Sequence, residues 1–83
     1  MDSETYADQF ASNVAAELRA ERVRRMVTIA SIVDETGLSK SAVLNYLNGK
    51  REIPIPAFAK LCRALGVDGR VIFGRVEESL KQD

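Results

Sequence analysis

Residues 28–51, T-I-A-S-I-V-D-E-T-G-L-S-K-S-A-V-L-N-Y-L-N-G-K-R, decide the fold of this 83-residue chain. Thr28 and Ser39 are suited to cap helix N-termini, because a hydroxyl oxygen there accepts a hydrogen bond from an unpaired backbone N–H. Gly37 and Gly49 are suited to helix C-termini, since glycine takes the left-handed conformation without a steric penalty. The stretch therefore predicts two short helices joined by a tight turn.

Apolar side chains recur at helical spacing in both of these predicted helices, which indicates that each helix buries one face. The inward positions are Ile29, Ile32 and Val33 in the first helix and Val43, Tyr46 and Leu47 in the second. Leu38 is apolar although it lies in the turn, so we expect its side chain to pack between the two helices and fix the angle between them. Two helices joined by a short glycine-containing turn make a helix-turn-helix.

The order and spacing of several sequence pieces extend this pattern. Thr28 stands nine positions before Gly37, and the runs G-L-S-K-S-A-V, Y-L-N-G-K-R-E and A-F-A-K-L-C-R-A-L-G-V follow in that order. Together they resemble the DNA-binding core of the XRE family, the lambda-repressor-like domains that include phage repressors and Cro proteins. The resemblance covers about residues 20–67. Family members commonly carry a glutamine directly after the threonine that corresponds to Thr28, and this glutamine contacts the DNA backbone. Ile29 departs from that pattern.

The flanking sequence predicts three further helices. Helix 1 runs from about Ser3 or Thr5 to Arg25. Its buried stripe consists of Tyr6, Phe10, Val14 and Leu18, spaced four residues apart. Helix 4 follows a loop with two prolines and ends at Gly66, and Asp68 caps helix 5.

We therefore expect an all-α fold, a compact five-helix lambda-repressor-like domain over residues 1–83. Its helix-turn-helix core spans about residues 20–67. Helix 1 carries an N-terminal extension at residues 3–19, and the C-terminal helix spans residues 69–81.

Composition argues against several functional classes. The chain has no histidine and one cysteine, Cys62, so a Cys/His zinc site and histidine-based catalysis are excluded. It also has no phosphate-cradling glycine loop. We expect neither an enzyme nor a cofactor, metal or small-molecule ligand. No apolar run is long enough for a membrane span and no signal-peptide pattern opens the chain, so a cytoplasmic protein of a bacterial cell or its phage is expected.

The formal net charge is zero, but the charges are unevenly distributed. Residues 1–18 carry four acidic residues and no basic one, whereas residues 19–52 carry seven basic and four acidic residues. The basic excess therefore coincides with the predicted helix-turn-helix, and the distribution favours a nucleic-acid partner.

The second helix of the motif is the recognition helix. It presents polar side chains where base edges would lie if its N-terminal end entered the major groove. Lys40 can donate to guanine and Asn45 can pair with adenine, while Ser41 suits either a base or a phosphate. Leu44 can contact a thymine methyl group. The resemblance also implies that Lys40, Ser41 and Asn45 read bases. The alternative for each position is an ordinary exposed helix residue.

A second set of residues is suited to bind DNA phosphates, which position a protein without specifying sequence. Helix N-termini attract anions, and the hydroxyls there belong to Thr28 and Ser39. The remaining candidates are Asn48, Lys50 and Arg51 after the recognition helix, and Arg24 and Arg25 at the end of helix 1. The alternatives are a helix C-cap for Asn48, a solvated loop for Lys50 and Arg51, and helix-end electrostatics for the arginines of helix 1.

These features predict a small transcription regulator, a Cro-like or phage-type repressor that occupies an operator on double-stranded DNA. One such domain reads few bases, so a homodimer on a pseudo-palindromic site is expected. The candidate dimer surfaces are Ile53 and Ile55, the apolar stripe of helix 5 and the extension of helix 1. The alternative for the two isoleucines is that they pack into the core of their own chain. The alternative function is a protein-interaction module on the same fold, such as an antitoxin or antirepressor.

Overall fold

The computed structural model describes residues 1–81, which form five α-helices and contain no strand. The helices are α1 (Ser3–Arg24), α2 (Ile29–Thr36), α3 (Lys40–Leu47), α4 (Ile55–Leu65) and α5 (Gly69–Lys81). The predicted all-α class, the five helices and the long first helix are confirmed. No helix within the described range is both long enough and apolar enough to cross a membrane.

Side-chain caps begin α2, α3 and α5 where the sequence predicts them. The Thr28 hydroxyl accepts a hydrogen bond from the Ser31 N–H at 3.1 Å, and the Ser39 hydroxyl accepts one from the Ala42 N–H at 3.0 Å. The Asp68 carboxylate accepts the Arg70 N–H at 2.8 Å and so caps α5. Gly37 ends α2 with a φ of 73°, the left-handed conformation that favours glycine. Local sequence therefore sets these helix boundaries.

One hydrophobic core lies between the helices. α1 contacts α3, α4 and α5, while α2 packs against α3 and α4. Leu18, Ile32, Val43, Leu61 and Ile72 are fully buried and bring one side chain from each helix to the centre. The inward positions predicted for α2 and α3 all pack in or against this core.

Three predicted details need correction. α1 ends at Arg24, one residue earlier than expected, and Arg25 is its C-cap. Tyr6 is predicted in the buried stripe of α1, but it is 41% exposed because its side chain lines an open surface groove instead of packing into the core. In the stripe of α5, Ile72 and Val76 are buried in the core of their own chain and form no outer surface, whereas Phe73 and Leu80 are only partly buried.

Met26 has a backbone conformation that the sequence does not reveal. It lies just after α1 with a φ of 57°, and no other non-glycine residue described has a positive φ. Its N–H donates to the Val23 carbonyl at 3.1 Å, which lets the chain reverse towards α2. The side chain is 88% exposed, so little packing offsets the steric cost of this conformation.

We expect Met26→Gly to stabilise the protein by roughly 0.5–1 kcal/mol, because glycine adopts the left-handed conformation without strain. Glycine also raises the conformational entropy of the unfolded chain, and this effect cancels only part of the stabilisation. Urea unfolding measures the change. Met26→Ala is the matched control, since it removes the exposed side chain and keeps the strain. A Met26→Gly variant that is less stable than Met26→Ala by the full entropy cost of glycine would show that the conformation at residue 26 is unstrained.

Candidate nucleic-acid interface

The turn between α2 and α3 is held by a buried hydroxyl. Thr36 donates a hydrogen bond from its side chain to the Ile32 carbonyl at 2.7 Å and accepts one from the Leu38 N–H at 3.1 Å. Leu38 is partly buried and packs against the core, as its position in the turn predicts. The angle between α2 and α3 is therefore set by packing as well as by the short connection.

α3 is anchored along one face and open along the other. Val43, Tyr46 and Leu47 are buried, whereas Lys40 and Ser41 at the N-terminal end are exposed. Leu44 and Asn45, one turn further on, are half-buried. The structure brings these four base-reading candidates onto the outer side of one helix, with the two most accessible at its first turn.

The segment after α3 folds back onto the end of that helix. The N–H groups of Lys50 and Arg51 donate to the Asn45 carbonyl at 2.9 and 3.3 Å, and the Gly49 N–H donates to the Tyr46 carbonyl at 3.2 Å. The Arg51 guanidinium lies over the Tyr46 ring, 5.2 Å from its centroid, a cation–π contact. These bonds keep both cationic side chains close to the recognition helix and exposed.

The N-terminal ends of α2 and α3 both reach the surface. Thr28 and Ser39 are exposed, and each hydroxyl that accepts a capping bond still has a proton to donate. Backbone N–H groups of a first helical turn carry a partial positive charge that suits a phosphate. Ile29 is half-buried and packs against the core, so its apolar side chain completes α2 instead of contributing a polar group.

Arg19 and Arg22 of α1 and its C-cap Arg25 donate to backbone carbonyls, two of which lie at the C-terminal ends of α3 and α4. The Arg19 guanidinium donates to the Leu47 carbonyl in the last turn of α3. Arg22 donates to the Val27 carbonyl at 3.0 Å, and Arg25 donates to the Gly66 carbonyl after α4 at 2.9 Å. Carbonyls at helix C-termini lack intrahelical partners and carry partial negative charge, which favours a cation there.

Glu21 is the buried acid around which the arginine cluster is arranged, and it is only 3% exposed. Its carboxylate accepts hydrogen bonds from Arg24, from Arg25 at 2.8 Å and from Arg75 of α5 at 2.7 Å. The bonds from Arg25 and Arg75 lower the pKa of Glu21 from 4.5 to about 2, although burial opposes the shift.

The two phosphate candidates at the end of α1, Arg24 and Arg25, lie in different surroundings. Arg24 lines a surface groove together with Leu44 and Asn48, so it lies beside the recognition helix. Arg25 is directed to Glu21 and to the end of α4 instead. The spacing of Glu21, Arg24 and Arg25 is a visible signal for helix ion pairs. Nothing local indicates the partner Arg75, which lies 54 residues from Glu21.

Two further chemical features of the described residues can be stated briefly. Burial raises the pKa of the Cys62 thiol to about 11, so it is protonated at neutral pH. Within residues 1–81 no group of three or more histidine, cysteine or acidic side chains is arranged to hold a metal ion.

Comparison with known proteins gave one informative result. A family model described as a helix-turn-helix domain matches residues 13–72, which include α2, α3 and α4 completely. Searches of curated proteins and of solved structures found no match.

We expect Glu21→Gln to destabilise the protein by about 1–3 kcal/mol at pH 7, because it replaces charged hydrogen bonds to three arginines with weaker ones. A carboxylate with a lowered folded-state pKa contributes stability above its unfolded value, here 4.5, and that contribution is lost as the pH falls towards about 2. The difference between the two proteins should therefore shrink from about pH 5 downward.

Urea unfolding at several pH values measures this difference. Glu78→Gln, on the exposed side of α5, is the control and should change stability little at any pH. A constant difference between wild type and Glu21→Gln from pH 7 to pH 3 would contradict the role assigned to the Glu21 charge.

Proposed function

Because the chain belongs to the family of helix-turn-helix domains, we propose that it binds double-stranded DNA sequence-specifically and regulates transcription as a Cro-like or phage-type repressor. The observation that carries this proposal is the arrangement of α3. Its C-terminal end is bonded to α1 and to the following loop, while Lys40 and Ser41 stand exposed at its first turn. A helix held in this way enters the major groove by its N-terminal end.

Base readout falls to the outer side of α3. Lys40 donates to guanine O6 and N7, and Ser41 bonds a base or an adjacent phosphate. Asn45 forms a bidentate pair with adenine, and Leu44 contacts a thymine methyl group. Half-burial of Asn45 and Leu44 limits their rotamers, which favours one geometry of contact over many.

Phosphate contacts on both sides of the groove orient the domain. On one side lie Thr28 and Ser39 with the N-termini of their helices, and on the other lie Asn48, Lys50 and Arg51. Arg24 extends the second group along the surface groove that it shares with Asn48. Arg25 is the weakest member of the predicted set, because its guanidinium is engaged by Glu21 and Gly66.

A single domain of this size contacts too few base pairs for tight and selective binding. We therefore infer that two copies bind a pseudo-palindromic operator whose half-sites lie about one helical turn apart. Each copy would place its α3 in one half-site, and repression would follow from occupation of the operator.

Selection of bound sites from a random duplex pool tests the proposal directly. We expect a two-fold symmetric site, and the affinity for it should fall steeply with salt, since log K falls by about 0.9 per log unit of salt for each phosphate neutralised. No enriched sequence, or binding that is weak and indifferent to sequence, would contradict a repressor. That result would favour a protein-interaction module such as an antitoxin or antirepressor.

Two substitutions separate readout from positioning. Asn45→Ala should cost about 1–3 kcal/mol on the selected site and relax preference at one base pair, because it removes a base contact. Arg51→Ala should weaken binding to all sequences alike and lower the salt slope by about 1. Fluorescence anisotropy with the selected site and with single-base variants measures both effects.

Arg70→Ala is the matched control for the loss of one arginine. Arg70 lies on α5, which contacts α1 and α4 only, and its partner Asp68 keeps the helix cap. It should bind DNA as wild type does. If Asn45→Ala keeps full selectivity, the assignment of bases to α3 is wrong.

A further inference from the structure

An apolar groove lies on the surface away from the Glu21 cluster. Its walls are Tyr6 and Phe10 of α1, Ile53 of the loop before α4, Ile55 at the start of α4, and Phe73 of α5. Ile55 is 71% exposed and Tyr6 is 41% exposed, although both are large hydrophobic side chains. Two segments that the sequence marks as unusual, the extension of α1 and the isoleucines after the recognition helix, thus meet at one place.

The floor of the groove is an ordered aromatic stack. Phe73 stacks on Phe58 with ring centroids 4.7 Å apart, and Phe10 meets Phe73 edge-on at 5.6 Å. Tyr6 continues the row at 6.1 Å from Phe10. Because these rings already pack against one another, a partner would meet a preformed surface. Little side-chain conformational entropy would then be lost on binding.

The rim of the groove carries charges of both signs. Glu52 lines the apolar groove and also an adjoining one that includes Asp8, Gly49 and Arg51. A surface that binds another copy of itself across a two-fold axis must be self-complementary. An apolar centre bordered by two carboxylates and a guanidinium meets that condition better than it fits a strongly basic or strongly acidic partner.

We propose that the apolar groove binds a second copy of this chain when two copies occupy neighbouring half-sites. The proposal rests on the proposed function and deepens it by assigning the surface through which the copies meet. Ile53 and Ile55 follow directly on the loop that closes α3, so contact there links one recognition helix to the other through a short rigid path. Of the three predicted dimer surfaces, the groove joins two and takes Phe73 from the third, the α5 stripe, whose Ile72 and Val76 are buried.

The size of the groove indicates how tightly the copies pair. A stable interface covers about 800 Å² on each partner, which is roughly 15% of the 5474 Å² surface of this chain. The five groove residues supply only a part of such an area. The contact is therefore weak in free solution and becomes effective on DNA, where two bound copies have a high effective concentration.

The experiment compares binding to the selected full site with binding to a single half-site. For wild type we expect the first copy to strengthen binding of the second by about 5- to 150-fold, the range typical of coupled sites. Ile55→Asp and Tyr6→Glu should abolish this coupling and change half-site affinity less than about twofold, since neither residue lies on α2 or α3.

Val71→Asp is the matched control, because Val71 is an exposed apolar residue (47%) in the first turn of α5 just as Ile55 begins α4. An aspartate is favourable in a first helical turn, so both variants should fold. Coupling that survives in both Ile55→Asp and Tyr6→Glu, or that is lost equally in Val71→Asp, overturns the assignment of the groove. Independent filling of the two half-sites by wild type overturns it as well.

A different measurement tests the groove if the protein does not bind DNA sequence-specifically. If no DNA sequence is selected, sedimentation equilibrium at up to about 1 mM protein decides the inference alone, since that range detects dissociation constants near 1 mM. Self-association of wild type that Ile55→Asp removes would support the groove as a contact between copies. A wild type that stays monomeric at that concentration would overturn it and leave the groove to a different protein partner.

Discussion

The buried carboxylate of Glu21 constrains how α1 lies against the rest of the molecule. It joins α1 to α5 through Arg75, and it holds Arg25 where that side chain also reaches the carbonyl that ends α4. Removing a carboxylate from water is costly unless charged donors replace the lost hydration. Three arginines do so here while keeping part of their own surface in solvent, so most of the desolvation falls on one group. Breaking such a buried ion cluster is costly, because loss of one partner leaves charged groups without compensation.

The same helix positions α3. Arg19, two residues before Glu21, donates to the last turn of the recognition helix, so the two structural roles of α1 are set by one rigid segment. The backbone bonds from Lys50 and Arg51 add to this hold on the C-terminal end of α3. At its N-terminal end, Ser39 caps the helix and the side chains of Lys40 and Ser41 are exposed. A two-turn helix fixed at one end and exposed at the other is well suited to present its first turn to a ligand.

Charge and polarity divide the surface into two regions. The recognition side is polar and carries Lys40, Lys50 and Arg51, whereas the apolar groove lies beside the acidic extension of α1. Phosphates would be repelled by the acidic side chains of that extension, and Arg51 lies at the border between the two regions. A net charge of zero is therefore compatible with DNA binding, since basic and acidic side chains lie in different regions of the surface and cancel only in the total.

Local sequence determined the helices and the motif, because caps, left-handed glycines and the spacing of apolar residues act within a few positions of one another. Thr28, Gly37, Ser39 and Asp68 took the roles that such short-range rules assign. Tertiary structure alone decided the rest. The pairing of Glu21 with Arg75 and the seating of Arg19 on α3 depend on how helices cross, which no local pattern encodes. The exposure of Tyr6 has the same origin, since whether an apolar stripe is covered depends on where the neighbouring helices end.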